Sequence, residues 1–149
     1  MHPRFTISED LMERTQLAVP LVVGRCHWLQ EAARQFQAIG KLPEGWDGDG
    51  ALRPEADSLE AAWGLLVALC SAGNLPKPHV HPTRDGGVQF EWESATRYFE
   101  IEVAAEGVAT FFFRDDEGKT EDHGEILAGQ PLDPILDEVR CVVFPNEES

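Results

Sequence analysis

Basic residues are scarce in this chain, which has 12 lysines and arginines against 27 aspartates and glutamates and a formal net charge of −15. A surface this negative repels phosphates and anionic lipids, and it attracts cations and basic proteins. The composition therefore argues against direct nucleic-acid binding and against binding to an acidic membrane, and it favours a basic protein partner. The simpler alternative is that the charge only keeps a small protein soluble.

Cysteine is also rare. The chain has 3 cysteines, and they form no C-x-x-C pair. Cys26, Cys70 and Cys141 stand far apart in the sequence, and two of them lie in apolar runs, where cysteine usually behaves as a small hydrophobic residue. The simplest prediction is a reduced, cytoplasmic protein.

Long hydrophobic runs are missing as well. The longest uncharged apolar stretch, Ala61–Leu69, is too short to span a bilayer. Acidic residues, among them Glu9 and Asp10, precede any apolar run at the N-terminus, which is unlike a secretory signal. We therefore expect neither a membrane anchor nor a cleaved leader.

Motifs of nucleophilic and metal-dependent catalysis are absent from the sequence. It contains 1 tyrosine, few serines, and no G-x-S-x-G, S-x-x-K or H-E-x-x-H pattern. The sequence thus gives no positive sign of an enzyme, and we expect no cofactor and no bound metal.

A chain of 149 residues fits a single domain, 1–149, with a substantial core. Apolar residues recur at helical spacing from Trp28 to Ile39, and again from Leu59 to Cys70 after Pro54. Ser8 followed by acids predicts a further short helix that Pro20 ends. We predict N-terminal helices over 1–41, a Trp/Gly/Asp loop over 42–53, a helix over 54–73, an antiparallel sheet over 79–127, and a helix or strand over 132–144.

The most informative stretch is GGVQFEWESATRYFEIEV, residues 86–103, because apolar and polar residues alternate on both sides of a short polar turn. This alternation predicts a β-hairpin in which Glu93 pairs with Tyr98. Trp92 then lies opposite Phe99, and one face of the hairpin is apolar. A slip of one residue would exchange the two faces, so the register is strongly specified.

The other face of the hairpin is acidic and carries Glu91, Glu93, Glu100 and Glu102. Like charges directly opposed on a sheet destabilise it, so this arrangement costs stability. We interpret the four glutamates as a candidate docking face for arginine and lysine side chains of a partner. The alternative is an outer face whose long side chains are merely solvated.

Two other sequence patterns are weaker candidates for cation-binding sites. His79 and His81 alternate on a predicted strand and share a face, so they predict a metal site if His123 lies near them. Asp47-Gly48-Asp49-Gly50 has the composition of a calcium loop, but it lacks the glycine and glutamate that an EF-hand places at positions 6 and 12. A structural turn before a helix explains this loop better.

Two motifs resemble those of a group of small, uncharacterised, acidic bacterial proteins, which share L-P-x-x-W-D-x-x-G-A and P-T-x-D-G-G-x-x-x-E-W. Here they are Leu42–Ala51 and Pro82–Trp92, and the resemblance runs over about Leu42–Phe113. It implies a bacterial or phage origin and an accessory or antitoxin-like role in defence-linked gene neighbourhoods. In such a protein we expect Trp46 to insert between helix and sheet and Asp47 to cap the loop.

These observations predict an α+β fold, an antiparallel β-meander of about four strands with helices packed on one face. The predicted function is that of a non-enzymatic binding protein, like an antitoxin, immunity protein or inhibitor, which docks a basic partner through the four glutamates. Two alternatives stay open: an anti-defence inhibitor that mimics nucleic acid, and a small metal-dependent hydrolase that uses His79, His81 and His123. The oligomeric state also stays open.

Overall fold

The computed structural model describes residues 26–115 and 120–144, which form three helices and a five-stranded antiparallel sheet. The predicted α+β fold is confirmed. The short helix expected between Ser8 and Pro20 lies outside the described residues. The elements are α1 (Leu29–Gly40), α2 (Ala56–Ala72), β1 (His79–Pro82), β2 (Val88–Glu93), β3 (Arg97–Val103), β4 (Ala109–Asp115), β5 (Glu121–Ile126) and α3 (Asp133–Val143).

The sheet is a meander in which each strand pairs with the next one along the chain, in the order β1-β2-β3-β4-β5. The predicted hairpin register is confirmed, because Glu93 pairs with Tyr98 and Trp92 pairs with Phe99. The fifth strand is Glu121–Ile126, whose sequence marks it only weakly, and it pairs with β4 along its whole length.

The apolar face of the hairpin forms the centre of the core. Its residues are each at most 2 % exposed: Val88, Phe90, Trp92, Phe99, Ile101 and Val103. The indole nitrogen of Trp92 donates a hydrogen bond to the carbonyl of Pro76 at 2.8 Å, so its one polar atom is satisfied. Burial of this face explains why the hairpin adopts one register.

Helices α1 and α2 pack on this face through the predicted apolar stripes, which are buried from Trp28 to Ile39 and from Leu59 to Cys70. Helix α2 begins at Ala56, slightly later than Pro54, because Glu55 is extended and donates its backbone N–H to Gly86 at 2.9 Å. Inside the helix, the buried Ser58 hydroxyl donates to the carbonyl of Val103 at 2.8 Å, which ties α2 to β3.

The cysteines correct one expectation from the sequence. Cys26 and Cys70 form a disulfide between Cα atoms 5.9 Å apart, and both residues are completely buried. The bond joins the residues that precede α1 to the C-terminal part of α2. The prediction of reduced cysteines is therefore wrong for this pair, since their distance in the sequence gives no hint that the fold brings them together.

The C-terminal segment, for which the sequence allowed a helix or a strand, is helix α3. Its buried side chains are Ile135, Leu136, Val139 and Val142. The helix packs on β2 and β3, and Arg97 donates from its guanidinium to the carbonyl of Cys141 at 2.9 Å. Within the described residues, none of the helices has both the length and the apolar character needed to cross a bilayer.

Candidate functional site

The side of the sheet opposite to the core helices is here called the open face. None of the described side chains on it is buried. Strand alternation and the register place the following residues on it: His79, His81, Gln89, Glu91, Glu93, Tyr98, Glu100, Glu102, Thr110, Phe112, Arg114, Glu121, His123 and Glu125.

The four glutamates named from the sequence lie together on the open face. Glu91 is directly opposite Glu100, and Glu102 is opposite Gln89. Glu93 is opposite Tyr98 at the end of the same strand pair. Cross-strand neighbours have Cβ atoms about 4.5–5.5 Å apart, so the carboxylates of β2 and β3 are within reach of one another.

Strand β5 adds acids that the sequence did not assign to this face. Glu121 and Glu125 lie on it, paired with Arg114 and Thr110 of β4. Arg114 is the one lysine or arginine among the open-face residues described above. The acids of the open face therefore lie on β2, β3 and β5, whereas β4 contributes Thr110, Phe112 and Arg114.

A polar network holds the centre of the open face. The side-chain amide of Gln89 donates to Glu91 Oε1 at 2.7 Å and to the Tyr98 hydroxyl at 3.4 Å. His81 Nε2 lies 3.5 Å from Glu91 Oε2. These contacts hold the Glu91 side chain in position. Its acidic neighbour is Glu100, the residue directly opposite it on β3.

The electrostatic environment of this centre is strongly negative. Burial raises the pKa of Glu100, and the charges of Glu102 and Glu91 raise it further. Burial, followed by the charges of Glu100 and Glu91, likewise raises the pKa of Tyr98. Burial disfavours a charge of either sign, and the contribution of the neighbouring carboxylates to both shifts is the part that would favour a positive charge placed here.

Two aromatic side chains border the carboxylates. Phe112 pairs with Glu100 across β3 and β4, and the rings of Phe112 and Tyr98 have centroids 6.4 Å apart. The guanidinium carbon of Arg114 lies 5.4 Å from the centroid of the Tyr98 ring, in a cation–π contact.

The three histidines are not brought together. His79 and His81 lie side by side on β1, with ring centroids 6.3 Å apart. His123 is on β5, at the opposite edge of the sheet. Four strand spacings separate the two edges by roughly 19 Å. Among the described residues, no three histidine, cysteine, aspartate or glutamate side chains are grouped so that they could hold a metal ion.

The two motifs Leu42–Ala51 and Pro82–Trp92 meet in space. Asp47 is the centre of the contact, because its Oδ1 accepts the backbone N–H groups of Asp49 at 2.8 Å and Ala51 at 3.0 Å. Its Oδ2 accepts Arg84 Nε at 2.7 Å. The expectation that Asp47 caps the loop is confirmed, and the arrangement is a structural turn before a helix.

Trp46 differs from its expected position. Its side chain is half-buried at the surface, outside the core, and its indole nitrogen donates to the carbonyl of Leu52 at 3.0 Å. The backbone N–H of Leu52 in turn donates to the carbonyl of Arg84 at 2.8 Å. Trp46 thus closes its own loop and does not insert between helix and sheet.

A groove of about 580 Å³ lies away from the open face, between the start of α1 and the segment before β1. Charged residues of both signs line it, including the ion pair of Glu31 with Lys77 at 2.8 Å. None of the site residues that the sequence identified is among its lining residues.

Sequence reasoning found the glutamates of the open face but missed Tyr98, Phe112 and Arg114. The alternation of β3 puts Tyr98 on the polar side, and pairing with β3 puts Phe112 and Arg114 there. Tyr98 is already opposite Glu93 in the predicted hairpin, whereas the positions of Phe112 and Arg114 beside the glutamates depend on the β3–β4 register, which the run of three consecutive phenylalanines in β4 obscures. A scan against protein-family models, a search of curated proteins and a search of solved structures each found no match to this chain.

Proposed function

We propose that this chain is a binding protein that docks a basic protein partner through its open face, in the manner of an antitoxin, an immunity protein or an inhibitor. One observation carries the proposal. Glu91, Glu93, Glu100 and Glu102 share one side of the sheet, which the described residues leave uncovered and on which Arg114 is the one opposing lysine or arginine.

The energetic cost of this arrangement supports the proposal. Directly opposed like charges, such as Glu91 and Glu100, destabilise a sheet by up to about 1 kcal/mol. Burial and neighbouring charge both raise the pKa of Glu100, so its charged form lacks full compensation in the isolated chain. Lysine and arginine side chains of a partner would supply that compensation on binding.

The shape of the open face also favours binding over catalysis. Its polar groups are spread across five strands, and its histidines lie at opposite edges. General acid–base chemistry needs groups that converge on one reacting atom within hydrogen-bond reach. A broad charged surface is instead suited to steering an oppositely charged partner.

The test compares two variants that each remove four negative charges. The docking variant carries Glu91→Gln, Glu93→Gln, Glu100→Gln and Glu102→Gln. The control variant carries Glu44→Gln, Asp85→Asn, Glu106→Gln and Asp137→Asn, all at exposed positions away from the open face. An octapeptide of alternating arginine and lysine serves as the basic probe, and stopped-flow measurements at low and high salt give association rates.

We expect the docking variant to associate about tenfold or more slowly than the parent at low salt, with a flatter salt dependence, because electrostatic steering depends on local charge. The control variant should stay close to the parent, although its net charge is the same as that of the docking variant. Equal rates and equal salt slopes for the two variants would mean that the open face is only solvated surface.

The thermal stability of the docking variant provides the accompanying check on folding. The fold depends on the apolar side of the hairpin, so the four glutamines should leave the unfolding midpoint unchanged or raise it slightly. A large drop in the midpoint would show that the glutamates are needed for folding and would argue against a role reserved for binding.

A further inference from the structure

We propose that the partner residue at the centre of the open face is an arginine, whose guanidinium lies between the Glu91–Glu100 pair and the rings of Tyr98 and Phe112. This inference rests on the proposed docking function and names the chemistry of the contact. These four residues are here called the central notch.

The acidic half of the central notch suits a guanidinium. Glu91 and Glu100 are cross-strand partners, so their side chains are neighbours on the open face, with the Tyr98 hydroxyl beside both of them. Gln89 and His81 hold the Glu91 carboxylate from its sides, at 2.7 Å and 3.5 Å. A guanidinium presents five N–H donors in a planar fork and can bond both carboxylates at once, whereas an ammonium acts as a compact point charge.

The partial burial of the notch also favours arginine. Glu91 keeps only 26 % of its side-chain surface exposed, so a cation that reaches it loses part of its own hydration. Guanidinium is more weakly hydrated than ammonium, and its transfer into a half-buried site therefore costs less. Burial is the largest cause of the raised pKa of Glu100. The folded chain therefore carries the desolvation cost of this carboxylate before any partner binds.

The aromatic half of the notch provides a stacking surface. Phe112 lies beside Glu100, and its ring centroid is 6.4 Å from that of Tyr98. A planar guanidinium can stack on these rings while its N–H groups reach the carboxylates, and such stacking is stronger in partly desolvated sites. The chain itself contains this contact, because the guanidinium carbon of Arg114 lies 5.4 Å from the Tyr98 centroid.

The test compares octa-arginine with octa-lysine, two probes of equal charge, by calorimetric titration of the full chain. The parent should bind octa-arginine about tenfold more tightly, the size expected for a cation–π contribution at a partly desolvated site. Phe112→Leu keeps an apolar side chain but removes one of the two rings, so it should clearly reduce the preference and leave octa-lysine affinity unchanged. Phe144→Leu, at an exposed phenylalanine directly after α3, is the matched control and should keep the preference.

The outcomes separate this inference from the proposed function. Equal affinity of the parent for both peptides, with both weakened in the four-glutamine docking variant, would overturn the arginine inference and leave the docking function standing. A preference as large in Phe112→Leu as in the parent would overturn the placement of the arginine in the central notch. Failure of the parent to bind either peptide would overturn the docking function, and the arginine inference with it.

Discussion

Neighbouring side chains of β2 lie in opposite environments. Trp92 is 2 % exposed and lies in the core, whereas Glu91 lies on the open face beside Gln89 and His81. Substitutions at alternate positions should therefore have separable effects, since even positions from 88 to 92 lie in the core and odd positions from 89 to 93 lie on the proposed docking face.

Trp92→Ala should lower the free energy of unfolding by about 3–5 kcal/mol, as expected when a buried aromatic is cut to alanine. The change also leaves the Pro76 carbonyl without its 2.8 Å donor. Trp46→Ala is the matched control and should cost less, because Trp46 is half-buried at the surface. Urea unfolding of both variants measures the difference. An unfolding free energy for Trp92→Ala equal to that of the parent would contradict the register.

Asp47 should contribute stability that depends on pH. Hydrogen bonds from the backbone N–H groups of Asp49 and Ala51, together with Arg84, hold its pKa below the ordinary value of 3.8. The pKa is lower in the folded than in the unfolded chain, so this stabilisation is complete above the unfolded value and disappears as the pH falls through the folded one.

Asp47→Asn keeps an acceptor for the loop N–H groups but removes the charge that faces Arg84. It should reduce stability above the ordinary aspartate pKa, and the difference from the parent should shrink in more acidic solution. Unfolding free energies measured in urea across this pH range check the prediction. A parent–variant difference that stays constant from neutral to acidic pH would show that the Asp47 charge does not stabilise the loop.

At the scale of elements, the strongly patterned segments were predictable in their register or their buried face, whereas the last strand of the predicted sheet was marked only weakly by its sequence. The hairpin has one register because a slip would expose its apolar face, and the stripes of α1 and α2 have helical spacing. Strand β5, EDHGEI, has no alternation, so its pairing with β4 follows from tertiary context. The Cys26–Cys70 bond and the surface position of Trp46 likewise depend on contacts between distant segments.

Two glycines, one directly before β2 and one inside α2, test the packing of the hairpin against its neighbours. A Cβ on Gly87 would lie 2.4 Å from the carbonyl oxygen of Val103, whereas a Cβ on Gly64 in α2 would meet nothing within 4 Å. Gly87→Ala should therefore destabilise by about 1–3 kcal/mol. Gly64→Ala should stabilise by about 1 kcal/mol through helix propensity. Thermal and urea unfolding measure both, and effects of the same sign would contradict this packing.

The disulfide joins residues separated by 44 positions, and closing a loop of that length should stabilise the fold by about 4 kcal/mol through the entropy of the unfolded chain. Reducing the parent protein should lower its unfolding free energy by an amount of this order, while Cys141→Ser should leave the effect of reduction unchanged. Three reactive thiols in the unfolded, unreduced protein would show that the bond does not form.

At the scale of the whole molecule, the sheet separates two kinds of surface. The described helices cover its apolar side, and the acidic residues remain on the open face. The four glutamates of that face were predictable because the hairpin alternation alone puts them together. The place of Phe112 in the aromatic border of the central notch was not predictable, because Phe112 meets Glu100 only through pairing between β3 and β4.

The most direct measurement of the central claim is a titration of the isotope-labelled protein with the alternating arginine–lysine octapeptide, followed by amide NMR. The docking account predicts that the largest shift changes fall on β2, β3 and β4 around Glu91, Glu100 and Phe112, and that they are lost in the four-glutamine docking variant. Shift changes concentrated on α1 and α2, or in the loop 42–53, would contradict it.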